Sequence, residues 1–240
     1  MSPQLPEIRE IWVYLSGSPL LALTLTLAAW QLGTLAHDRS GGHPLVNPVA
    51  IAVAVLAATI VAIDMPYATY FEGAQFVHFL LGTATVSLAV PIHRGLSALR
   101  GRVLPLAAAL LGGGATSIAT ALAAAKLLGV DASLRQGLWA KSVTAPIAMG
   151  VAERIGASPT LTAVYAVVTG VLGAALGKFV LDAVGCRAWW RRGVAIGIAA
   201  HGIGTSRAFA VHPEAGAWSS LAMGLHGVLG AVLIPLAFGL

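Results

Sequence analysis

Two short stretches gather the residue types that could do chemistry in an otherwise apolar chain. The first is Ala140-Lys141-Ser142-Val143-Thr144-Ala145-Pro146-Ile147-Ala148. A lysine among apolar neighbours is a charge at membrane depth, which costs roughly 2.5–3.5 kcal/mol on insertion scales. Pro146 removes a backbone donor and frees a carbonyl near Ser142. Ser142 and Thr144 place hydroxyls beside that break. Together they read as an anion site, with Lys141 as the charge and the hydroxyls as orienting groups. In the competing reading Lys141 snorkels to an interface and Pro146 only kinks a helix. Spacing alone does not separate the two.

The second stretch is Ala200-His201-Gly202-Ile203-Gly204-Thr205-Ser206-Arg207. Gly202 and Gly204 let the backbone open or approach a ligand closely. Backbone N–H groups at the start of a half-helix bind anions with help from the helix dipole. Arg207 adds a planar fork that matches a carboxylate. His201 titrates near physiological pH and could carry a proton. The plainer alternative makes the glycines packing residues and Arg207 an interfacial anchor. The cluster of His, Thr, Ser and Arg within one short stretch favours function.

Other polar residues carry weaker signals. Asn47-Pro48 opens an apolar segment, where an amide beside a helix-starting proline usually caps. Thr83, Thr85 and Ser87 fall in another such segment, where hydroxyls usually bond the preceding turn. Lys178 near a segment end reads as snorkelling. His78, His226 and Met223 have no partner that spacing can name. There is no metalloprotease His-Glu pairing, no Gly-x-Ser-x-Gly and no phosphate-binding Gly-Lys-Ser/Thr loop. Neither an enzyme nor a resident cofactor or metal is expected, and any uphill transport would draw on an ion gradient or a partner.

These residues must be held by membrane helices. Of 240 residues 58% are hydrophobic and 10% charged, with mean hydropathy +0.85. A soluble domain carries about 25% charged residues, so lipid must solvate much of this surface. Apolar runs near the ~20 residues that span a bilayer fall at about 19–36, 45–63, 76–92, 103–128, 159–183 and 215–238. Two further runs, 134–155 and 193–211, are interrupted by the stretches described above. Irregular backbone at membrane depth is tolerated where it lines protein or a wet cavity, and paired interrupted segments point to a transporter site.

The sequence therefore predicts one all-α, polytopic membrane domain over 1–240. It has about seven spans plus a re-entrant or broken segment at 134–155, with an inverted repeat only faintly visible. Arginines at 39, in 93–102 and in 185–192 suggest a shared cytoplasmic face. A re-entrant 134–155 then puts the amino terminus outside and the carboxyl terminus inside. The net charge of +5 is spread through loops, which fits topology signalling and not nucleic-acid binding. A single Cys186 excludes an internal disulfide. Residues 1–18 do not read as a signal peptide, and 8–15 reads as an interfacial helix.

Three ordered motifs carry a family resemblance. Leu81-Gly82-Thr83-Ala84-Thr85-Val86-Ser87-Leu88-Ala89-Val90-Pro91 resembles the third-span signature of the LrgB/CidB family. The Lys141–Ala148 stretch is similar to its Lys-Ser-Val-Thr-Thr-Pro-Ile-Ala motif. His201-Gly202-Ile203-Gly204-Thr205-Ser206-Arg207-Ala208 resembles its His-Ala-Leu-Gly-Thr-Ala-Arg motif. Asn47-Pro48 matches its place in the family. Thr83, Ala145, Gly202 and Ser206 depart from the pattern, and none of these removes the Lys, His or Arg.

The resemblance implies two labels. One is an antiholin-like regulator of murein hydrolase activity and lysis. The other is a carrier of small monocarboxylates, as in the plant plastidial glycolate/glycerate transporter, whose carboxyl-terminal half is similar, or in pyruvate uptake with an LrgA-like small membrane protein. The expectation is transport of a small organic anion such as glycolate, glycerate or pyruvate across the cell inner (cytoplasmic) membrane. The candidate substrate-binding set is Lys141, Ser142, Thr144, His201, Gly204, Thr205, Arg207, Asn47 and Thr85. The two interrupted segments are expected to meet near the bilayer midplane, in a homodimer with an elevator-type motion.

Overall fold

A computed structural model describes residues 19–87, 89–90, 93, 99 and 101–240, without the side chains of 19, 76, 78, 81, 82, 84 and 85. The expected interfacial helix at 8–15 lies outside this range. Among the described residues the fold is all-helical: α1 (Pro19–Arg39), α2 (Pro48–Ala62), α3 (Tyr67–Gly73), α4 (Gln75–Ser87), α5 (Val103–Leu127), α6 (Ala132–Gln136), a 3-10 turn (Gly137–Ala140), α7 (Ala145–Ile155), α8 (Pro159–Ala183), α9 (Trp189–Val211) and α10 (Pro213–Ala237). Five of these, α1, α5, α8, α9 and α10, are long and apolar enough to cross a membrane. Their outward side chains, such as Leu104 at 80% and Leu127 at 87% exposure, suit a lipid surround. Backbone contacts divide the chain into two compact units, 1–83 and 84–240.

In the first unit α1 packs along α2 and touches α3. A Cβ at Gly33 would collide with the Pro48 carbonyl oxygen, so the glycine lets α1 meet the start of α2. Asn47 Oδ1 accepts from the N–H groups of Val49 at 2.9 Å and Ala50 at 3.1 Å. That satisfies donors which a helix start leaves unpaired. Thr26 and Tyr70 share a hydrogen bond of 2.8 Å beside a small core of Ala22, Met65, Tyr70 and Ala74.

In the second unit two segments double back. Gln136 Nε2 donates to the Ile155 carbonyl, so residues 19 apart in sequence lie side by side. The chain enters through α6 and the 3-10 turn, reverses at Lys141–Thr144, and returns through α7. This geometry matches the re-entrant reading of 134–155. The 11 residues of α7 reach about 16 Å at 1.5 Å per residue, roughly half a bilayer core. Gly156, at φ 75°, ends α7 in the left-handed region that glycine adopts without strain.

The second reversal departs from expectation. The sequence reading treats 193–211 as an interrupted full span, and by length α9 could be one. Yet the Trp189 and His212 rings stack with centroids 4.6 Å apart. Ends of a straight helix of that length would lie about 34 Å apart. The break is at His201, whose φ of 38° and ψ of −131° are non-helical. Its arms, 189–200 and 202–211, lie against each other. A Cβ on Gly204 would overlap Ala200 Cβ and sit 2.9 Å from Ile196 Cγ2. Thus α9 is a helical hairpin. The reversal also corrects the topology: α10 begins at the end where α8 finishes, so the carboxyl terminus leaves on the face opposite the 185–192 loop.

The two hairpins flank α8. The first precedes its amino end and the second follows its carboxyl end, so their tips point towards each other between α5, α8 and α10. α10 is the packing partner of both. Gly193 and Gly197 bring the first arm of α9 against the carbonyls of Ala215 and Ser219, while Gly227 and Gly230 admit Ile147 and Val143 of the first hairpin. Small residues of this kind are how membrane helices approach closely.

Candidate functional site

Each hairpin tip delivers polar side chains to the middle of the second unit. Lys141 Nζ donates to Ser117 Oγ at 2.9 Å, and Ser117 lies near the middle of α5. Among the described residues all ion pairs converge on Asp182, so the Lys141 ammonium is balanced by no carboxylate. Ser142 Oγ and His226 Nε2 share a buried hydrogen bond of 3.1 Å. His226 sits near the middle of α10 and is 6% exposed. A Cβ on Gly114 would come 2.9 Å from His226 Cε1, so the glycine leaves room for the ring.

Thr144 stands at the amino-terminal end of α7, and its side chain makes no capping bond. Pro146 occupies the second helical position and has no N–H to offer, which weakens the usual cap. Among the described residues Thr144 Oγ1 is the one buried side-chain polar atom with no hydrogen-bond partner. The first turn of α7 therefore keeps backbone donors without helical acceptors, beside a hydroxyl that is also free to bond.

At the opposing tip His201 is buried, and its Nε2 lies 2.8 Å from the Ala166 carbonyl of α8. That contact requires a proton on Nε2, since the carbonyl can only accept. Thr205 Oγ1 lies 2.7 Å from the His201 carbonyl and 2.8 Å from Ser219 Oγ. A hydroxyl has one proton, so Thr205 donates to the carbonyl and Ser219 donates to Thr205. Ser219, Met223 and His226 recur on one face of α10. This face links the tips, with Thr205 on Ser219 and Ser142 on His226.

The sequence reading places Ser142 and Thr144 close to Gly204, Thr205 and Arg207; in the structure Ser142 bonds His226 and Thr205 bonds Ser219, at separate points along α10. Gly204 is the contact point between the α9 arms. Arg207 lies on the 202–211 arm and lines, with Gly204, a cavity of ≈ 240 Å³ at the hairpin base. Ser142 instead lines a mostly apolar cavity of ≈ 620 Å³ with His226 and Trp139, and neither cavity includes residues of both groups. Asn47 is spent on its cap in the first unit. Thr85 lies on α4, with its side chain outside the described residues. Sequence reasoning missed Ser117, Ser219 and His226. A histidine at mid-span was itself a signal, because intramembrane ionisable groups are costly and seldom idle.

Comparison with known proteins places this geometry in a family. The LrgB-like family profile matches residues 26–240. The holin-like protein CidB of Staphylococcus epidermidis is 26% identical over 216 residues, covering 90% of this chain and 94% of that protein. The antiholin-like protein LrgB of Bacillus mycoides is 25% identical over 219 residues, with 91% and 95% covered. YwbG of Bacillus subtilis is 32% identical over 189 residues, with 79% and 84% covered. No solved structure matches. The relatives' names favour the holin and antiholin reading over monocarboxylate transport. With multiple apolar helices and a family match over nearly its whole length, the chain is a multi-pass membrane protein and belongs to the LrgB-like family.

Proposed function

We propose that this protein carries a small organic anion, of the glycolate, glycerate or pyruvate class, through the space between the two hairpin tips. The observation that supports this reading is the uncapped, buried start of α7, where among the described residues Thr144 Oγ1 has no partner and no carboxylate neutralises the nearby Lys141. A carboxylate arriving there exchanges water for the Lys141 ammonium, the Thr144 hydroxyl and first-turn N–H groups. Hydrogen bonds to a charged group contribute roughly 1.5–3 kcal/mol each. Two or three, less the cost of dehydrating the anion, give weak binding suited to a carrier that must release its cargo. Opposed hairpins supply two gates, since withdrawing either tip opens the site to one face. His201 and His226 are the candidates for coupling to protons. In this reading the protein is not an enzyme and sits in the inner membrane. It works as a homodimer through the apolar first unit, and a small LrgA-like protein is the candidate partner.

A second reading, regulation of murein hydrolases and lysis, is favoured by the names of the relatives. Reconstituted protein separates the two. Uptake of labelled glycolate, glycerate, lactate or pyruvate into liposomes, lost in Lys141→Ala, supports the carrier. No uptake of any of them, with altered autolysis on expression in a bacterial host, favours the regulator.

A further inference from the structure

The base of the second hairpin holds a cationic cavity that the proposed carrier cycle does not use. Its walls come from the end of α8, the 184–188 connection, both arms of α9 and the start of α10. Lys178, Arg187, Arg192 and Arg207 line it together with Asp182, the one acidic lining residue. Four cations thus face one carboxylate. Asp182 is already shared by Arg192 at 2.6 Å, Lys178 at 3.3 Å and Arg187 at 3.8 Å. Arg192 is locked in place, with only 12% of its side chain exposed and a further bond to the Cys186 carbonyl at 2.9 Å. Arg207 is half-buried and, among the described residues, has no hydrogen bond or ion pair. A half-buried guanidinium without an anion is unfavourable, and its fork fits two oxygens of one phosphate.

The cavity lies where apolar helices end, which is headgroup level for a spanning helix. Trp189 stacks on His212 at its rim, and Trp190 lies under Arg191 and Arg102. Aromatic and basic residues mark such interfaces. Ala174, Leu181, Ile196 and Val211 give the same cavity an apolar wall, so it offers a charged pocket next to a greasy one.

We infer that this cavity binds a phosphate oxyanion, with Arg207 as its unpaired clamp, and that the phosphate is the headgroup of an anionic phospholipid. The ligand then pins the two arms of α9 at their base. The inference stands whether or not the protein is a carrier.

The test is lipid retention by the purified full-length protein in native mass spectrometry, with phosphatidylglycerol, phosphatidylcholine and soluble glycerol phosphate as separate probes. Wild type should hold phosphatidylglycerol in preference to phosphatidylcholine. Arg207→Gln should weaken that retention about tenfold, equal to about 1.4 kcal/mol, and Arg207→Lys should fall between, since a point charge replaces the fork. Arg191→Gln, on Trp190 and outside the cavity, should match wild type. Binding of glycerol phosphate with no lipid preference, lost in Arg207→Gln, upholds the phosphate site but rejects the lipid as its source. Equal retention of both lipids with no phosphate binding, or an Arg207→Gln protein indistinguishable from wild type, overturns the proposal. Arg207→Lys provides the comparison if Arg207→Gln fails to fold. Liposome uptake of monocarboxylates does not enter the outcome.

Discussion

Thr144→Val should stabilise the protein and impair it at once. Valine has nearly the shape of threonine, so the tip of the first hairpin keeps its packing. The hydroxyl it removes is buried and has no hydrogen-bond partner among the described residues. A buried hydroxyl without a partner costs about 1–3 kcal/mol by protein mutational data. No capping bond is lost, because the side chain makes none. The expected gain is about 1 kcal/mol, or a rise of about 2–4 °C in the unfolding midpoint for a chain of this size. Thermal unfolding in detergent, followed by Trp fluorescence, measures the first effect. Liposome uptake of a short monocarboxylate measures the second. Loss of one hydrogen bond to a charged ligand predicts a roughly tenfold or larger fall in affinity. A destabilised Thr144→Val protein would show that the hydroxyl is bonded after all. A stabilised protein with unchanged uptake would remove Thr144 from the anion site.

The other expectations follow from the same geometry. In a Cys186→Ser background, Trp189→Cys with His212→Cys should give an intramolecular cross-link with a short bis-maleimide, read by peptide mass spectrometry. A straight α9 would hold the pair about 34 Å apart, and absence of the link would refute the hairpin. Gly204→Val should cost about 1–3 kcal/mol by overpacking the α9 arms, seen as a lower unfolding midpoint. A neutral result would mean that the arms are not in contact. Ser142→Ala should cost about 1–3 kcal/mol, because it strands the buried His226 Nε2. The same measurement on Ser142→Ala with His226→Phe should recover part of that loss, and additive losses would deny the bond.

Much of the site was legible because its signals are local. A lysine, two hydroxyls and a proline inside an apolar run are expensive wherever that run folds, so the sequence alone marks 141–146 as irregular, while burial of Lys141 against snorkelling was decided only by its bond to Ser117. The doubling back of 134–155 was legible too, through the arginine loops on either side. Asn47 was legible as a cap for the same local reason. The span count was not fully legible, since α9 has the length and composition of a crossing helix and a single left-handed residue turns it back.

What the sequence by itself determined is the solvent, the helical class and the short list of polar residues that lipid cannot accommodate. Partition between lipid and protein depends on composition and periodicity, which are one-dimensional. What only the tertiary structure decided is which of those residues meet. His201 takes φ 38° because the two arms it joins pack on each other and on α10, an interaction between residues far apart in sequence. That packing puts Ser142 on His226 and Thr205 on Ser219, and it sends Arg207 to the hairpin base. A pairing of this kind depends on contacts across the fold, and no window of sequence contains both partners.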